Sequence, residues 1–557
     1  MSAERQLTGV PASPGLAAGP ARHWTGAASV DTSPLPPSER SAAIAQATAA
    51  LAAAAAELAG LAAGLGEADA EIIETGVLMA SDPALLAAVD GAVGDRGLRA
   101  PAAILAATEE IATQLESLAD ELLAARASDV RSLGHRAARL ASGGGDGVAS
   151  MAAQGVIVAR DLGPADVAEL GIAISAIALA DGGATGHAAI VARSLGIPMV
   201  VGVGEGLVDV PEGGELVVDG DAGWILADPG GPRLEAARAA SAARHRASQL
   251  ATATSALPAV TRDGVPIGVL ANVSSPMEVE SALAAGAEGV GLLRTELSFL
   301  DRSAWPTVLD HRLFLEPILA PLAGRPATIR LLDFGGDKTP PFLSGAGPRG
   351  IELLLRHPAA LRDQLAAVLA AGQRTDLRVL VPMVVEPRQL RCVREALVET
   401  AAAAGVGLPL LGAMIEVPGA AALADQIVAE VDFLSIGTND LTALQLGLDR
   451  SQPGAKPAHH PAVLRLVDGV CRAARSSGIS VAVCGEAASD PVAMPLLVGL
   501  GVVELSVGSS RVGRVRGWVR ALDHASAVTV AQLALAAESA EDVEGLSAPL
   551  RSTLLAS

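Results

Sequence analysis

The chain has 557 residues, half of them hydrophobic, with 40 basic and 61 acidic side chains and a formal net charge of −21. Its length exceeds what one hydrophobic core supports, so we expect several domains, and its apolar content excludes a largely disordered protein. The acidic balance disfavours non-specific binding to nucleic acid or to an anionic membrane, and it favours a protein partner with a basic surface.

The three cysteines, Cys392, Cys471 and Cys484, form no C-x-x-C pair and no cluster with histidine. The sequence therefore argues against a zinc site, and a sparse, odd count without a signal peptide predicts a cytoplasmic, reducing location. The longest apolar run, Ala42–Gly66, contains Glu57. We predict an amphipathic helix of a soluble protein there rather than a membrane span.

The first 30 residues are rich in Gly, Pro and Ala and predict a strand with loops. Apolar residues then recur every three or four positions as far as Leu140, which predicts a helical domain. Its helices are expected at Ala42–Leu65, Ala68–Met79, Pro83–Val93, Ala102–Ala125 and Asp129–Leu140. Ser81-Asp82-Pro83 is typical of a helix start, and the glycine-rich run Gly143–Gly147 predicts a domain boundary.

Residues 150–228 alternate short apolar runs with short helical pieces, which predicts a compact α/β domain. Within it a glycine-rich turn, Asp181–Gly186, leads into a helical pattern and places His187 near a helix N-terminus. Backbone N–H groups and the helix dipole favour an anion there, and Thr185 can add a hydroxyl donor. A histidine in that position can act as a nucleophile toward phosphorus.

Residues 232–252 are rich in Arg and Ala and predict an exposed connecting helix. From Pro258 onward, eight apolar strand candidates alternate with helices, which fits a (β/α)₈ barrel. A doubly wound open sheet is the alternative, but no Gly-x-Gly-x-x-Gly fingerprint follows an early strand. The strands are expected at Ile267–Asn272, Gly289–Leu293, Ala327–Leu332, Leu377–Met383, Leu411–Glu416, Asp432–Ile436, Ile479–Cys484 and Val503–Val507.

Basic side chains cluster at the predicted strand ends, where such barrels place their sites. These side chains are Arg294, Arg330 and Lys338, joined by Arg349 and Arg450. The planar fork of arginine matches phosphate and carboxylate oxygens, so the group indicates a small polyanionic substrate. For any one of them the alternative is a surface ion pair.

Acidic and thiol side chains end three other predicted strands. Glu416 and Asp440 follow adjacent strands, and two carboxylates so close repel unless they share a proton or a cation. Hard oxygen ligands of this kind predict a Mg²⁺ site, the alternative being that one of them pairs with a nearby arginine. Cys484 also ends a strand, which favours a role as a proton donor, whereas Cys392 and Cys471 fit the usual buried apolar thiol.

Together these motifs resemble the enzyme I family of the bacterial phosphoenolpyruvate-dependent sugar phosphotransferase system. The resemblance covers nearly the whole chain and rests on motifs in each predicted domain. They are Gly9–Ala17, Arg126–Arg131, Gly182–Pro198, Gly289–Glu296, Asp333–Lys338, Ser435–Thr442 and Cys484–Glu486. The resemblance implies a swivelling α/β phosphohistidine domain with an inserted helical-bundle domain, followed by a C-terminal (β/α)₈ barrel.

The implied domain limits are 1–30 and 143–230 for the α/β domain, 31–142 for a helical domain that docks the phosphocarrier HPr, 231–257 for a linker helix, and 258–557 for the barrel. The barrel is implied to bind phosphoenolpyruvate and Mg²⁺ and to form a homodimer. Hinges are expected near Gly143–Gly147 and Asp228–Arg233, because the α/β domain must move between its two partners.

The resemblance also implies a role for each site residue. His187 is the phosphorylated nucleophile, and Cys484 protonates the enolate carbon to give pyruvate. The phosphoryl group is held by Arg294 and Arg330. Further substrate contacts come from Arg349, Asn439 and Arg450, and Mg²⁺ binds to Glu416 and Asp440.

The sequence departs from the family pattern at a few positions, which are Gly76, Ala184, Gly186, Ala443 and Gly513. Ala184 and Gly186 remove hydrogen-bond donors beside His187, which predicts altered speed or stability of the phosphohistidine without loss of the nucleophile. Two rival functions stay open. One is a dikinase or synthase that uses phosphoenolpyruvate, although no nucleotide-binding domain is recognisable; the other is a regulatory scaffold that senses phosphoenolpyruvate with weak turnover.

Overall fold

The computed structural model describes residues 4–24, 30–63, 67–117, 126–143, 155–184, 186–335, 338–343, 347–448 and 457–557. The chain divides into two compact units, Met1–His245 and Arg246–Ser557. Arg450, Thr185 and most of the predicted boundary at 143–147 lie outside the described residues. The multidomain α/β class with a C-terminal (β/α)₈ barrel is confirmed, while the predicted domain limits stay a prediction.

In the described part of the first unit, five helices form a bundle and follow the predicted helices closely. They are α1 (Arg40–Ala62), α2 (Glu67–Ala80), α3 (Pro83–Gly94), α4 (Ala100–Glu116) and α5 (Arg126–Ala141). The predicted start of α3 is confirmed, because the Asp82 side chain accepts a hydrogen bond from the Ala84 N–H at 2.7 Å and satisfies an end group of the helix. Alanines on every turn let the helices approach one another, and leucines such as Leu51 and Leu58 fill the core.

Helix α1 is the apolar stretch that raised the question of a membrane span. Among the described residues it is the single unbroken helix that is long and apolar enough to cross a bilayer. Its apolar face packs in the bundle core, and Glu57 accepts hydrogen bonds from Arg136 at 3.1 Å and Arg139 at 2.9 Å. Both features suit a helix that is buried in a protein bundle.

The rest of the first unit is built on an eight-stranded sheet with the order β1-β8-β7-β3-β4-β5-β6-β2. Strands β3 to β6 are parallel, and the remaining pairs are antiparallel. The strands are β1 (Arg5–Thr8), β2 (Val10–Ser13), β3 (Leu16–Trp24), β4 (Val156–Ala159), β5 (Ala176–Leu179), β6 (Met199–Val201), β7 (Glu215–Asp219) and β8 (Trp224–Ala227). Helices α6 (Pro164–Leu170) and α7 (His187–Ser194) pack on it, so the chain before the bundle and the chain after it complete one sheet.

The predicted connecting helix is observed as α8 (Gly231–Ala253). Its start is fixed to the first unit, because Arg238 Nη2 donates to both carboxylate oxygens of Glu215 at 2.9 and 3.0 Å. The division between the two units falls within this helix, between residues 245 and 246.

The second unit is a closed barrel of eight parallel strands, as predicted. The strands are β9 (Gly268–Val273), β10 (Val290–Leu293), β11 (Pro326–Arg330), β12 (Asp376–Val381), β13 (Leu410–Ile415), β14 (Phe433–Ile436), β15 (Ser480–Val483) and β16 (Glu504–Gly508). Strand β16 pairs with β9 and closes the barrel. Because every strand runs in the same direction, the residues that follow the strands gather at one mouth.

Helices surround the barrel and bury its outer surface in one continuous core. They are α9 (Pro276–Ala284), α10 (Val308–Leu319), α11 (Ile351–Arg356), α12 (Pro358–Ala371), α13 (Pro387–Ala404), α14 (Pro418–Ala422), α15 (Ala424–Ile427), α16 (Thr438–Leu446), α17 (Pro461–Ser477), α18 (Ala493–Leu500), α19 (Val512–Ala521), α20 (His524–Ala536) and α21 (Ala540–Ala556).

Candidate active site

His187 is the first residue of helix α7, as the sequence predicts. The turn before it depends on glycine, because Gly182 has a φ of +93°, which L side chains rarely adopt. Gly186 is the extended residue that precedes the helix, and its N–H donates to the Gly183 carbonyl at 3.1 Å. The unpaired N–H groups of the first helical turn therefore begin at His187, where they favour a bound anion.

The imidazole of His187 lies against a carboxylate that the sequence analysis did not single out. Its Nδ1 is 3.1 Å from Asp129 Oδ2 on helix α5, and Arg126 Nη1 is 3.2 Å from the same oxygen. Asp129 Oδ2 and His187 Nδ1 are within ion-pair distance, but their contact lacks the alignment of a hydrogen bond. The other carboxylate oxygen, Asp129 Oδ1, is buried without a hydrogen-bond partner among the described residues. A carboxylate on Nδ1 can orient the ring and leaves Nε2 as the nitrogen available for attack.

A cleft of about 940 Å³ surrounds His187 within the first unit. Helix α5 contributes Asp129 and Arg131 to its lining, and the loop after β4 contributes Asp161, whose pKa is raised by burial. Arg131 is held by a double ion pair with Glu109, with Nε and Nη2 both donating at 2.9 Å. The cleft is therefore bounded by fixed charges from both the bundle and the sheet.

Ala184 and Gly186, the positions beside His187 where the sequence analysis expected side-chain donors to be missing, present only a methyl group and backbone. The Ala184 carbonyl accepts a hydrogen bond from Arg193 Nη1 at 3.1 Å, and the same Nη1 lies 3.2 Å from the Ala12 carbonyl. Arg193 thus ties the turn to strand β2 through main-chain oxygens.

In the barrel, the end of β10 meets the end of β11 through a buried cluster of charges. Glu296 is fully buried, and its Oε1 accepts from Arg330 Nη2 at 2.6 Å and from Lys338 Nζ at 2.7 Å. Burial opposes ionisation of Glu296, but the charges of Arg330 and Lys338 outweigh it and hold its pKa at about 2. Two of the predicted cations, Arg330 and Lys338, therefore converge on one buried carboxylate.

Arg349 reaches the same mouth through a second buried carboxylate. Its Nε and Nη2 donate to the two oxygens of Asp333 at 3.1 and 3.0 Å, which fixes the plane of the guanidinium. Its Nη2 is also 3.6 Å from Asp440 Oδ2. The sequence analysis gave an ion pair with a nearby arginine as the alternative to a metal site at these carboxylates. The long contact between Arg349 and Asp440 partly matches that alternative.

Glu416 is buried just after β13, and its Oε1 accepts from the Met383 N–H at 2.7 Å. Met383 has a φ of +52°, an unusual value for a side chain of this size, so strained backbone supports this carboxylate. Burial raises the pKa of Glu416 to about 7, and the negative charges of Asp333 and Asp440 act in the same direction. A cation would relieve this repulsion, so the donor set fits Mg²⁺.

Among the described residues, no group of three or more His, Cys, Asp or Glu side chains is arranged to hold a metal ion unaided. Two protein carboxylates would therefore leave most of the coordination sphere to substrate and water, which is how Mg²⁺ is commonly bound next to phosphates.

Cys484 follows β15 and is buried, with its Sγ 3.6 Å from the Ile436 carbonyl. Burial raises the pKa of the thiol to about 11, so it stays protonated at neutral pH and can serve as an acid. The Cys484 carbonyl accepts from Asn272 Nδ2 at 3.0 Å, and Asn439 Oδ1 accepts from the Glu486 N–H at 2.9 Å. Asn439 thus joins the ends of β14 and β15.

The structure brings most of the predicted barrel residues to one mouth. Arg294 follows β10 and is half-buried there, with its N–H donating to the Val273 carbonyl at 3.0 Å. Arg450 lies outside the described residues. His187 belongs to the other unit. The sequence analysis assigned no role to Asp129, Asp333 or Glu296.

Three family models match the chain. They are described as the PEP-utilising enzyme N-terminal domain over residues 8–126, the PEP-utilising enzyme mobile domain over 151–223, and the PEP-utilising enzyme PEP-binding domain over 248–524. The mobile-domain match contains His187, and the PEP-binding match contains the barrel cluster.

Curated relatives match the chain over most of its length. A phosphoenolpyruvate-protein phosphotransferase of Streptomyces coelicolor is 38% identical over 97% of this chain and 98% of its own length. One of Bacillus sp. (strain S) is 34% identical over 86% of each chain. A multiphosphoryl transfer protein of Xanthomonas campestris pv. campestris is 39% identical over 79% of this chain but 54% of its own length, so the chain spans about half of that relative.

Proposed function

The chain belongs to the family of phosphoenolpyruvate-protein phosphotransferases, and we propose that it moves the phosphoryl group of phosphoenolpyruvate to Nε2 of His187 and then to a histidine of HPr. The observation that carries the proposal is His187 itself, which stands at a helix N-terminus with Asp129 beside Nδ1. That arrangement supplies an oriented nucleophile and N–H groups for the incoming anion.

The donor site is the barrel mouth, where Arg294 and Arg330 hold the phosphoryl group. Further contacts come from Arg349, Asn439 and Arg450. Arg330 and Arg349 have their guanidinium groups fixed by buried carboxylates, so little side-chain entropy is lost when phosphate oxygens bind. Fixed positive charge offsets the charge that spreads over the oxygens of the transferring group.

Mg²⁺ would be held by Glu416 and Asp440, where it would supply positive charge to the phosphate and enolate oxygens. These two carboxylates come from the ends of β13 and β14 and already repel each other and Asp333. The chain itself therefore supplies two carboxylates whose mutual repulsion a bound cation would reduce.

Cys484 completes the donor half-reaction. The bond between phosphorus and the enol oxygen breaks as a bond to Nε2 of His187 forms, which leaves the enolate of pyruvate. The Cys484 thiol then gives its proton to the methylene carbon, so pyruvate leaves and the thiolate regains a proton from solvent. A thiol with a pKa of about 11 carries its proton at neutral pH, as this step needs.

The wider setting is also proposed. The net charge of −21 favours a partner with a basic surface, and we propose HPr as that partner, docked on the helical domain near Arg126–Arg131. We place the enzyme in the cytoplasm, as a homodimer through its barrel, in sugar transport. His187 and the donor residues belong to different units, and we propose that the α/β domain moves between donor and acceptor at hinges near 143–147 and 228–233.

The test is labelling with radioactive phosphoenolpyruvate and Mg²⁺. We expect an acid-labile, base-stable phosphoprotein that passes its label to HPr and is lost in His187→Ala. Glu416→Gln should abolish labelling by phosphoenolpyruvate while His187 still accepts phosphate from phosphorylated HPr. Label that appears only with ATP would support a dikinase, and no label at all would support a regulatory scaffold.

Cys484→Ala tests the proton donor separately. We expect the rate of pyruvate formation to fall about 100-fold or more, because removing a general acid costs on that order. Cys471→Ala is the matched control, since Cys471 is equally buried but lies on helix α17 away from the barrel mouth. Unchanged pyruvate formation in Cys484→Ala would remove this residue from the mechanism.

A further inference from the structure

A buried glutamine on the outside of the barrel reaches the two strand ends that carry the phosphate arginines. Gln364 lies on helix α12 and is completely buried. Its Oε1 accepts from the Leu332 N–H at 3.0 Å, and its Nε2 donates to Thr295 Oγ1 at 3.1 Å. One side chain therefore contacts the chain after β11 and the chain after β10.

The network continues to the site itself. Thr295 is completely buried and lies between Arg294 and Glu296, and its hydroxyl donates to the Arg330 carbonyl at 2.9 Å. Leu332 lies next to Asp333, which orients Arg349. Gln364 and Thr295 thus bond directly to the backbone that carries Arg330 and Asp333, and Thr295 belongs to the backbone that carries Arg294.

The network compensates for a place where strand pairing has stopped. The last residue pair between β10 and β11 is Leu293 with Ile329, and the pairing register shifts between Val290 and Leu293. Beyond that pair, the relative position of the two ends depends on side chains. The Gln364 side-chain amide is hydrogen-bonded through both its oxygen and its nitrogen, so it holds the two strand ends firmly at one separation. Breaking either hydrogen bond would leave a polar group unpaired in an apolar core.

We infer that Gln364 is a positioning residue for phosphoryl transfer: through Thr295 and Leu332 it sets the separation of Arg294 and Arg330 and so shapes the phosphate cradle. The inference rests on the proposed function and deepens it. Gln364 touches neither substrate nor metal candidates, and it acts by holding the backbone from which the arginines extend.

The experiment compares full-length variants in labelling by phosphoenolpyruvate. Gln364→Met keeps the length and volume of the side chain but removes both hydrogen bonds. We expect kcat/KM for phosphoenolpyruvate to fall about 10- to 100-fold with a raised KM, because a small misplacement of binding groups costs that much. Transfer from phosphorylated enzyme to HPr should be unchanged, since it does not use the barrel mouth.

Gln389→Met is the matched control. Gln389 is also buried in the barrel unit and accepts from the N–H groups of Val385 and Glu386 at 2.8 and 3.2 Å, but it does not contact the ends of β10 and β11. It should change kcat/KM by about twofold at most. Equal losses in the two variants would mean a general loss of barrel stability and would overturn the positioning role.

A second pair of variants covers the case in which Gln364→Met folds poorly. Thr295→Ser keeps the hydroxyl and should retain activity, whereas Thr295→Val removes it and should raise the KM as Gln364→Met does. The double variant Gln364→Met with Thr295→Val should lose little more than either single variant, because the two act as one unit. Additive losses, or wild-type KM in Thr295→Val, would overturn the inference.

The outcomes also separate this inference from the proposed function. Wild-type protein that takes no label from phosphoenolpyruvate would overturn the proposed function, and the positioning role would fall with it. Wild-type protein that is labelled, together with Gln364→Met at wild-type kcat/KM, would overturn the positioning role alone.

Discussion

At the scale of single residues, the site is defined by carboxylates that hold cationic or nucleophilic groups in place. Asp129 lies beside His187, Glu296 beside Arg330, and Asp333 beside Arg349. In each case the acidic partner is buried, so the contact is little screened by solvent and the geometry is well determined. The functional groups therefore owe their orientation to partners that do no chemistry on the substrate.

Asp129→Asn tests this at His187. The amide is nearly isosteric but carries no charge, so it holds the ring less firmly and no longer stabilises positive charge on it. We expect phosphorylation of His187 by phosphoenolpyruvate to slow about 10-fold or more, by analogy with other carboxylate–histidine pairs. Asp31→Asn is the control, because Asp31 forms an exposed ion pair with Arg99 in the same unit. Equal rates in wild type and Asp129→Asn would show that the contact has no role in transfer.

At the scale of elements, hydrogen bonds and ion pairs connect the ends of neighbouring strands at the barrel mouth. Glu296 after β10 binds Arg330 at the end of β11, Asp333 after β11 binds Arg349 before α11, and Glu416 after β13 accepts from Met383 after β12. Neighbouring strands are thus cross-linked beyond their last backbone hydrogen bonds. Fixed loops at the carboxyl ends are what a pre-organised binding site requires.

Glu296→Gln tests how much this network stabilises the barrel. The change leaves Arg330 and Lys338 buried with no ionised partner at Glu296, so we expect a loss of about 3 kcal/mol in the free energy of unfolding near pH 7. The folded pKa of about 2 lies below the ordinary 4.5, so the stability that the carboxylate contributes is present above pH 4.5 and is lost as pH falls through 2. The difference between wild type and variant in denaturant titrations should shrink over that interval.

Glu504→Gln is the control for this prediction. Glu504 pairs with Arg378 at 3.0 Å, but it starts strand β16 and so lies at the opposite end of the barrel. Glu504→Gln should lower the free energy of unfolding by less than Glu296→Gln does, and it should leave the donor site intact. A Glu296→Gln difference that stayed constant from pH 7 to pH 3 would contradict the assigned charge network.

At the scale of the whole molecule, the chain is two compact units joined through helix α8. The first unit contains His187, the proposed nucleophile, and the second contains the proposed donor residues. The proposal therefore assigns acceptance of the phosphoryl group and binding of phosphoenolpyruvate to different units. Each has its own hydrophobic core, which is the usual condition for independent stability.

Calorimetry of the full chain tests this division. We expect two unfolding transitions, of which phosphoenolpyruvate with Mg²⁺ raises only the one that belongs to the barrel unit. At a ligand concentration 100 times Kd the stabilisation should be about 2.7 kcal/mol, because the ligand binds only the folded barrel. His187→Ala should leave the shift unchanged. A single transition that shifts as a whole would show that the units unfold together.

Much of the fold was predictable from the sequence because its signals are local. All eight barrel strands were located, since strands buried on both faces appear as continuous apolar runs between helical stretches. The five bundle helices were located from their period of three and four residues. The fully buried Gln364 was not singled out, because a glutamine within a helix has no local feature that shows which distant backbone groups it binds.

The sequence by itself determined the elements, the barrel, the placement of His187 at a helix start and the gathering of Arg294, Arg330, Glu416 and Cys484 at the strand ends. These follow from periodicity, glycine-dependent turns and the shared direction of parallel strands. Only the tertiary structure decided which carboxylate faces which cation and that Asp129 lies against His187. Such pairs join residues far apart in the chain, and their energies depend on burial and distance, which exist only once the chain has folded.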